Sequence, residues 1–304
     1  MTSNRLNRNF TRLLSRWFCM NKNSATLSRR RAVAIITSIR NMPEYIALYL
    51  LLGVFSGFLA GMLGIGGGVV IVPALYLIYT ASNKFSPELA LLVALATSLT
   101  CITLTSASAA WAQIRAQRVH WDAFSGLLPW LLVGSAASGF IAPLLPSDLL
   151  RTLLGCLLGC VAVVMLLSWQ PHPQRTLPGR LGYLGVGTGA GIVSGCAGIA
   201  GGNVIVPTLI FFNVPAHNAT ATSSVLGIPL AGVAALSYFL SAPAHTAPGL
   251  LGYLDVSTFL AIVVGAIATA PLGVRMAQRV NARRLRQLFA VVLATVALRM
   301  LFVS

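Results

Sequence analysis

Charge is scarce in this sequence. Only 9% of its 304 residues are Asp, Glu, Lys or Arg, and just five are acidic. Soluble domains carry about 25% charged residues. A fold surrounded by water would lack the side chains to cover itself, so an ordinary soluble enzyme is excluded. A hydrophobic content of 57% excludes disorder. Cysteine is scarce too. Cys19, Cys101, Cys156, Cys160 and Cys196 form an odd set without clustered spacing, which excludes a disulfide framework. Cys156 and Cys160 stand one helical turn apart, but two thiols without imidazole or carboxylate partners make a poor metal site. His120, His172, His217 and His245 fall at segment ends or in loops. No paired acids, HExxH or Ser-His-Asp order accompanies them. No catalytic residue, metal ligand or cofactor is therefore assigned.

Apolar runs are abundant. They recur at 45–63, 69–80, 88–111, 123–142, 149–169, 181–197, 203–213, 217–240, 256–275 and 284–303. Several reach the ~20 residues that cross ~30 Å of hydrocarbon at 1.5 Å per residue. Segments in lipid must satisfy their own backbone, so these runs are predicted to be helices. Two of them, 69–80 and 203–213, are too short to span, and each follows a glycine-rich break. The expected fold is an all-α polytopic membrane protein. It has about eight full spans, or ten helical segments when glycine-broken half-helices are counted.

The formal charge of +16 invites a nucleic-acid reading, but the positions of the charges oppose it. Residues 1–41 hold nine Lys/Arg and no acid, leaving twelve Lys/Arg and five acids, or +7, for the rest. The tail lacks the apolar core and cleavage site of a signal peptide. It reads as a disordered basic segment facing anionic headgroups; a start at Met42 and a transit peptide are the alternatives. The expected partners are the lipid bilayer and a small anion, with no nucleic acid. Nothing in the sequence speaks to oligomeric state.

The chain repeats itself. LGVFSGFLAGMLGIGGGVVIVPALYL (52–77) aligns with VGTGAGIVSGCAGIAGGNVIVPTLIF (186–211) at a shift of 134. Gly53, Gly57, Gly61, Gly64, Gly67, Gly68 and Pro73 fall on Gly187, Gly191, Gly195, Gly198, Gly201, Gly202 and Pro207. Further on, Ala96-Thr97-Ser98 matches Ala221-Thr222-Ser223, and Asp122 matches Asp255. The expected division is a tail (1–41), a first repeat (42–170), a cytoplasmic linker (171–180) and a second repeat (181–304). Arginine counts orient the spans. The loop near 112–120 carries Arg115 and Arg118, while its partner near 241–251 carries none. The loop near 143–151 carries one Arg, while its partner holds Arg275, Arg279, Arg283, Arg284 and Arg286. The bias changes sides between copies, as inverted repeats require. If each glycine-break pair makes no net crossing, the first copy begins outside, against the pull of the basic tail.

Three groups of residues are candidates for function. Gly53, Gly57 and Gly61 share a helical face and read as a packing surface. Gly64-Ile65-Gly66-Gly67-Gly68 would weaken a helix interior by ~1 kcal/mol per glycine. It reads either as a hinge or as a mid-membrane break whose following helix offers free N–H groups to an anion. Gly201, Gly202 and Asn203 repeat it. A dinucleotide fingerprint is rejected, because no short strand precedes the glycines and no acid follows about 20 residues on. Thr97, Ser98, Thr222 and Ser223 are the hydroxyls repeated in both copies. They either bond nearby carbonyls or line an anion path. Asp122 and Asp255 sit at helix starts and read as N-caps. The spans hold almost no central ionisable residue, so a proton relay has no evident carrier.

At GMLGIGGGVVIVPAL (61–75), GCAGIAGGNVIVPTL (195–209), HNATATSSV (217–225), GYLDV (252–256) and APLGVRMAQRVNARRLRQLFA (270–290), the sequence resembles the TauE/SafE family of sulfite exporter-like transporters. The resemblance covers about residues 45–303. It implies a multi-pass protein of the bacterial inner (plasma) membrane that exports sulfite, sulfonates or related sulfur-containing anions. The chain departs from the pattern in its basic tail, a longer 74–96 connection, and Ala200 where the first copy has Gly66. The expectation is a secondary anion transporter and not an enzyme. Its substrate would be held by Gly66, Gly67, Gly68, Thr97, Ser98, Gly201, Gly202, Asn203, Thr222 and Ser223. A non-transporting scaffold or accessory subunit is the alternative.

Overall fold

The structure, a computed structural model, describes residues 45–63, 66–167, 179–199, 201–243, 247, 249–276 and 282–302. The basic tail, most of the linker, Gly64, Ile65, Ala200 and Arg279 lie outside the described residues.

Each apolar run becomes a helix. In order these are α1 (Ile46–Leu63), α2 (Gly68–Ala81), α3 (Pro87–Arg115), α4 (Trp121–Ile141), α5 (Ser147–Leu166), α6 (Arg180–Cys196), α7 (Gly202–Phe211), α8 (Ala216–Ser241), α9 (Val256–Met276) and α10 (Ala282–Phe302). A 3-10 turn, Ala142–Leu144, extends α4. A small antiparallel hairpin, β1 (Leu250–Leu251) and β2 (Leu254–Asp255), precedes α9 and was not foreseen. Its turn is made by Gly252 at φ 66° and Tyr253.

Among the described residues five helices are long and apolar enough to cross a membrane: α3, α4 with its extension, α5, α8 and α9. In α1, α6 and α10 the apolar stretches are shorter, Ile46–Met62, Leu181–Cys196 and Ala290–Phe302, so five of the expected eight spans are long and apolar enough. The 14-residue α2 and 10-residue α7 rise only about 21 and 15 Å, so they are half-helices.

Local chemistry sets the boundaries. α3 opens on Ser86-Pro87, and α5 and α8 follow Pro146 and Pro215. A proline there loses no helical hydrogen bond. Both half-helices stop at an asparagine in the left-handed region, Asn83 at φ 49° and Asn213 at φ 63°. The next N–H reaches back five residues in each case, Lys84 to the Tyr79 carbonyl and Val214 to the Leu209 carbonyl. α2 is four residues longer than α7 (14 − 10), one added helical turn. That turn accounts for part of the longer 74–96 connection.

Exchanging the two halves preserves the packing. α1 crosses α9 as α6 crosses α4, α3 meets α9 as α8 meets α4, and α2 lies on α3 as α7 lies on α8. α3 with α8, and α5 with α10, pair across the centre. The α1–α9 crossing is built on glycine. A Cβ on Gly57 would stand 2.5 Å from Ala266 Cα, and Gly53 and Gly61 abut the Ile262 and Ala270 carbonyls. In return, Gly265 and Gly273 face the Leu50 and Phe58 carbonyls. Gly187, Gly191 and Gly195 do the same against α4. The packing role expected for Gly53, Gly57 and Gly61 is met.

Candidate functional site

Both half-helices open on a glycine in the left-handed region, with Gly67 and Gly201 each at φ 73°. Gly66 (φ 74°) and Gly198 (φ 67°) also lie there. A residue with a Cβ pays about 1–2 kcal/mol for this conformation. A glycine cap has no side chain to satisfy the first N–H groups of either helix. The first bonds run from Val70 and Ile71 to the Gly67 carbonyl, and from Val204 and Ile205 to the Gly201 carbonyl. The N–H groups of Gly68, Val69, Gly202 and Asn203 precede those bonds, at the positive end of each helix dipole.

The two breaks meet. A Cβ on Gly68 would stand 2.6 Å from the Gly198 carbonyl oxygen and 3.1 Å from Ile199 Cα. Ser98 Oγ donates to that same carbonyl at 2.9 Å. The first half-helix therefore begins against the second break, pinned by a serine that is fully buried. Half exchange carries Ser98 to Ser223. Ser223 is 1% exposed, and its hydroxyl has no partner among the described residues. Asn203, partly buried on α7, likewise has an unpartnered, buried Nδ2.

The repeated threonines do a matched job. Thr97 Oγ1 accepts the Asp255 backbone N–H at 3.1 Å, and Thr222 Oγ1 accepts that of His120 at 2.9 Å. Each ties the central helix of one half to the start of the fourth helix of the other. The structural counterpart of Asp255 is thus His120, two residues before the Asp122 chosen by sequence. Asp255 caps α9 through Thr258 N–H, whereas α4 is capped by His120 Nδ1, which accepts from Ala123 N–H. Asp122 only occupies the first turn of α4. Most other hydroxyls bond carbonyls on their own helix: Thr100 to Ala96, Thr103 to Leu99, Thr220 to Ala216 and Ser224 to Thr220.

A polar cluster around Asp255 was missed. Lys84 Nζ stands 2.6 Å from its Oδ2, which also accepts from Tyr79 Oη (3.1 Å) and Thr258 Oγ1 (2.8 Å). Ser257 Oγ donates to Oδ1 at 2.6 Å. Burial pushes this carboxyl up, but the Lys84 charge and the donated hydrogen bonds together outweigh it and hold it below its ordinary value. The available signal was Lys84 itself, the one lysine after Lys22, in the connection that the second copy shortens.

The sequence matches the family model described as sulfite exporter TauE/SafE over residues 49–300. The chain belongs to the TauE/SafE family. Among its TauE/SafE-like relatives, a probable membrane transporter protein of Haemophilus influenzae is 30% identical over 268 residues, covering 85% of this chain and 99% of that protein. One from Methanocaldococcus jannaschii is 28% identical, covering 84% and 94%. The Bacillus subtilis probable membrane transporter protein YunE is 24% identical, covering 84% and 97%. No solved structure matches. Family and apolar helices together make this TauE/SafE protein a multi-pass membrane protein of a transporter family.

Proposed function

We propose that this protein is a secondary transporter of a small anion across a bacterial-type cytoplasmic membrane. Sulfite, an organosulfonate or a related sulfur-containing anion is the substrate. One observation carries the reading. Two half-helices open on uncapped glycines, and the start of one abuts the break before the other. That is the arrangement by which repeat-built transporters hold charged substrates at mid-membrane.

The two halves are inverted copies, in keeping with the arginine bias that changes sides between equivalent loops. Backbone N–H groups at Gly66–Gly68 and Gly201–Asn203 attract the anion, and Ser223 is a free hydroxyl donor. Thr97, Thr222 and Ser98 hold the two halves in register around it. Rocking of one half against the other exposes the site alternately to each side. No bond is made or broken in this scheme, so no enzyme activity is assigned.

The test is flux into proteoliposomes loaded with sulfite, sulfoacetate, sulfate or thiosulfate. Anion-dependent flux well above empty vesicles, abolished by Gly67→Val or Gly201→Val, is expected. Flux equal to that of empty vesicles for all four anions would favour the scaffold reading instead.

A further inference from the structure

The two breaks share a backbone conformation but differ in their surroundings. The shift of 134 that relates them places Ala60 on Ser194 and Val69 on Asn203. A Cβ on Gly67 would lie 3.4 Å from Ala60 Cβ, whereas a Cβ on Gly201 would lie 3.3 Å from Ser194 Oγ. At this equivalent position the first copy offers only a methyl group, beside the Ser56 carbonyl, whereas the second offers a hydroxyl, beside the Ile205 and Leu230 side chains. Ser194 is 1% exposed, and its hydroxyl has no hydrogen-bond partner among the described residues. Most helix hydroxyls in this protein bond a carbonyl one turn back on their own helix, as Thr208 bonds Val204 at 2.6 Å. Ser194 does not. A second unpartnered donor, Asn203 Nδ2, belongs to the second residue of α7.

An unpartnered buried donor is unfavourable, because it has given up water without gaining a partner. Ser194 lies against the N-cap glycine of α7 and Asn203 is the second residue of that helix, so both unpartnered donors belong to one helix start. None of the five acids, Glu44, Glu88, Asp122, Asp148 and Asp255, lies on α6, α7 or the break between them. The unpartnered atoms there can donate, so the partner they lack is an acceptor, and the helix dipole favours one that carries negative charge.

We infer that the anion is bound at the α7 N-terminus and that Ser194 is one of its ligands. Ser194 Oγ, Asn203 Nδ2 and the N–H groups of Gly202 and Asn203 form the donor set, which suits a small oxyanion with several acceptor oxygens. The α2 N-terminus, with Ala60 and Val69 at the equivalent positions, offers backbone N–H groups without these two side-chain donors. This inference rests on the anion-transport reading above and deepens it by making the site asymmetric.

The test uses the purified full chain in detergent, with sulfite, sulfate and sulfoacetate as probes. Binding is read by competition against radiolabelled sulfite and by ligand-induced thermal shift. Ser194→Ala and Asn203→Val import the first-copy residues, so each is compatible with the backbone. Each should weaken binding about tenfold, while Thr208→Ala, on the same helix, leaves it unchanged. Ser194→Thr, which keeps the hydroxyl, should retain more affinity than Ser194→Ala. Should Ser194→Ala lose the monodisperse profile of the parent, Ser194→Gly and Asn203→Val carry the comparison. Wild-type affinity in Ser194→Ala (or Ser194→Gly) and Asn203→Val overturns the inference and leaves anion transport standing. A parent protein that neither binds nor carries any of the three anions overturns both.

Discussion

Lys84, from the turn after α2, closes on Asp255 at the start of α9 at 2.6 Å, joining the first half of the protein to the second. The pair is lopsided, with the lysine side chain 36% exposed and the aspartate 1%. Removing the lysine strands a buried carboxylate, whereas neutralising the aspartate leaves a lysine that reaches water. Lys84→Met should therefore cost about 2–3 kcal/mol, below the figure for a fully buried pair. Asp255→Asn, which keeps an acceptor for Ser257 and Thr258, should cost less. Thermal midpoints of the two variants in detergent check the order.

The same carboxylate predicts a pH dependence. Its folded value lies below the ordinary 3.8. Its contribution is thus complete above that ordinary value and is lost as pH falls through the lower folded one. Acid titration of the thermal midpoint should show a decline in that range that is absent in Asp255→Asn.

Thr97 and Thr222 should be separately and equally sensitive. Valine keeps their shape but orphans the Asp255 or His120 N–H, at about 1–2 kcal/mol each. The two contacts share no residue, so the double variant should show the sum. A double variant no worse than either single would mean that one of the two contacts does not form.

Glycine substitutions should sort by location. Gly57→Ala places a Cβ against Ala266 backbone at the α1–α9 crossing and should impair folding. Gly185, on α6, has nothing within 4 Å of the added Cβ. Gly185→Ala should stabilise by roughly 0.5–1 kcal/mol. At the caps, Gly67→Ala meets the Ser56 carbonyl at 2.9 Å, while Gly201→Ala meets the flexible tip of Ile205 at the same distance. Both share the left-handed strain, so Gly67→Ala should be the more damaging. Yield and monodispersity after size-exclusion chromatography rank all four.

Helices were legible in the sequence because lipid leaves the backbone no alternative, and all ten runs became helices. The half-helices were legible because glycine clusters and short runs coincide. Long-range pairing was not. Asp122 looked like the match for Asp255, because residue identity was the only guide. The structure substitutes His120, because the equivalence lies in which N–H reaches the threonine of the other half. Ser194 escaped notice for a related reason. A serine in a glycine-rich helix is unremarkable until the chain turns back and sets Gly201 beside it.

The glycine crossing of α1 with α9 also bears on how the protein is made. The groove cut by Gly53, Gly57 and Gly61 is filled by Ile262, Ala266 and Ala270, synthesised about 200 residues later. At about 5–20 residues per second, α1 waits roughly 10–40 s for its counterpart. Through that interval its notched side faces lipid or the insertion machinery. Ribosome stalling between α6 and α9 would leave a half-clasped intermediate with an open groove, the species a membrane quality-control protease would meet first.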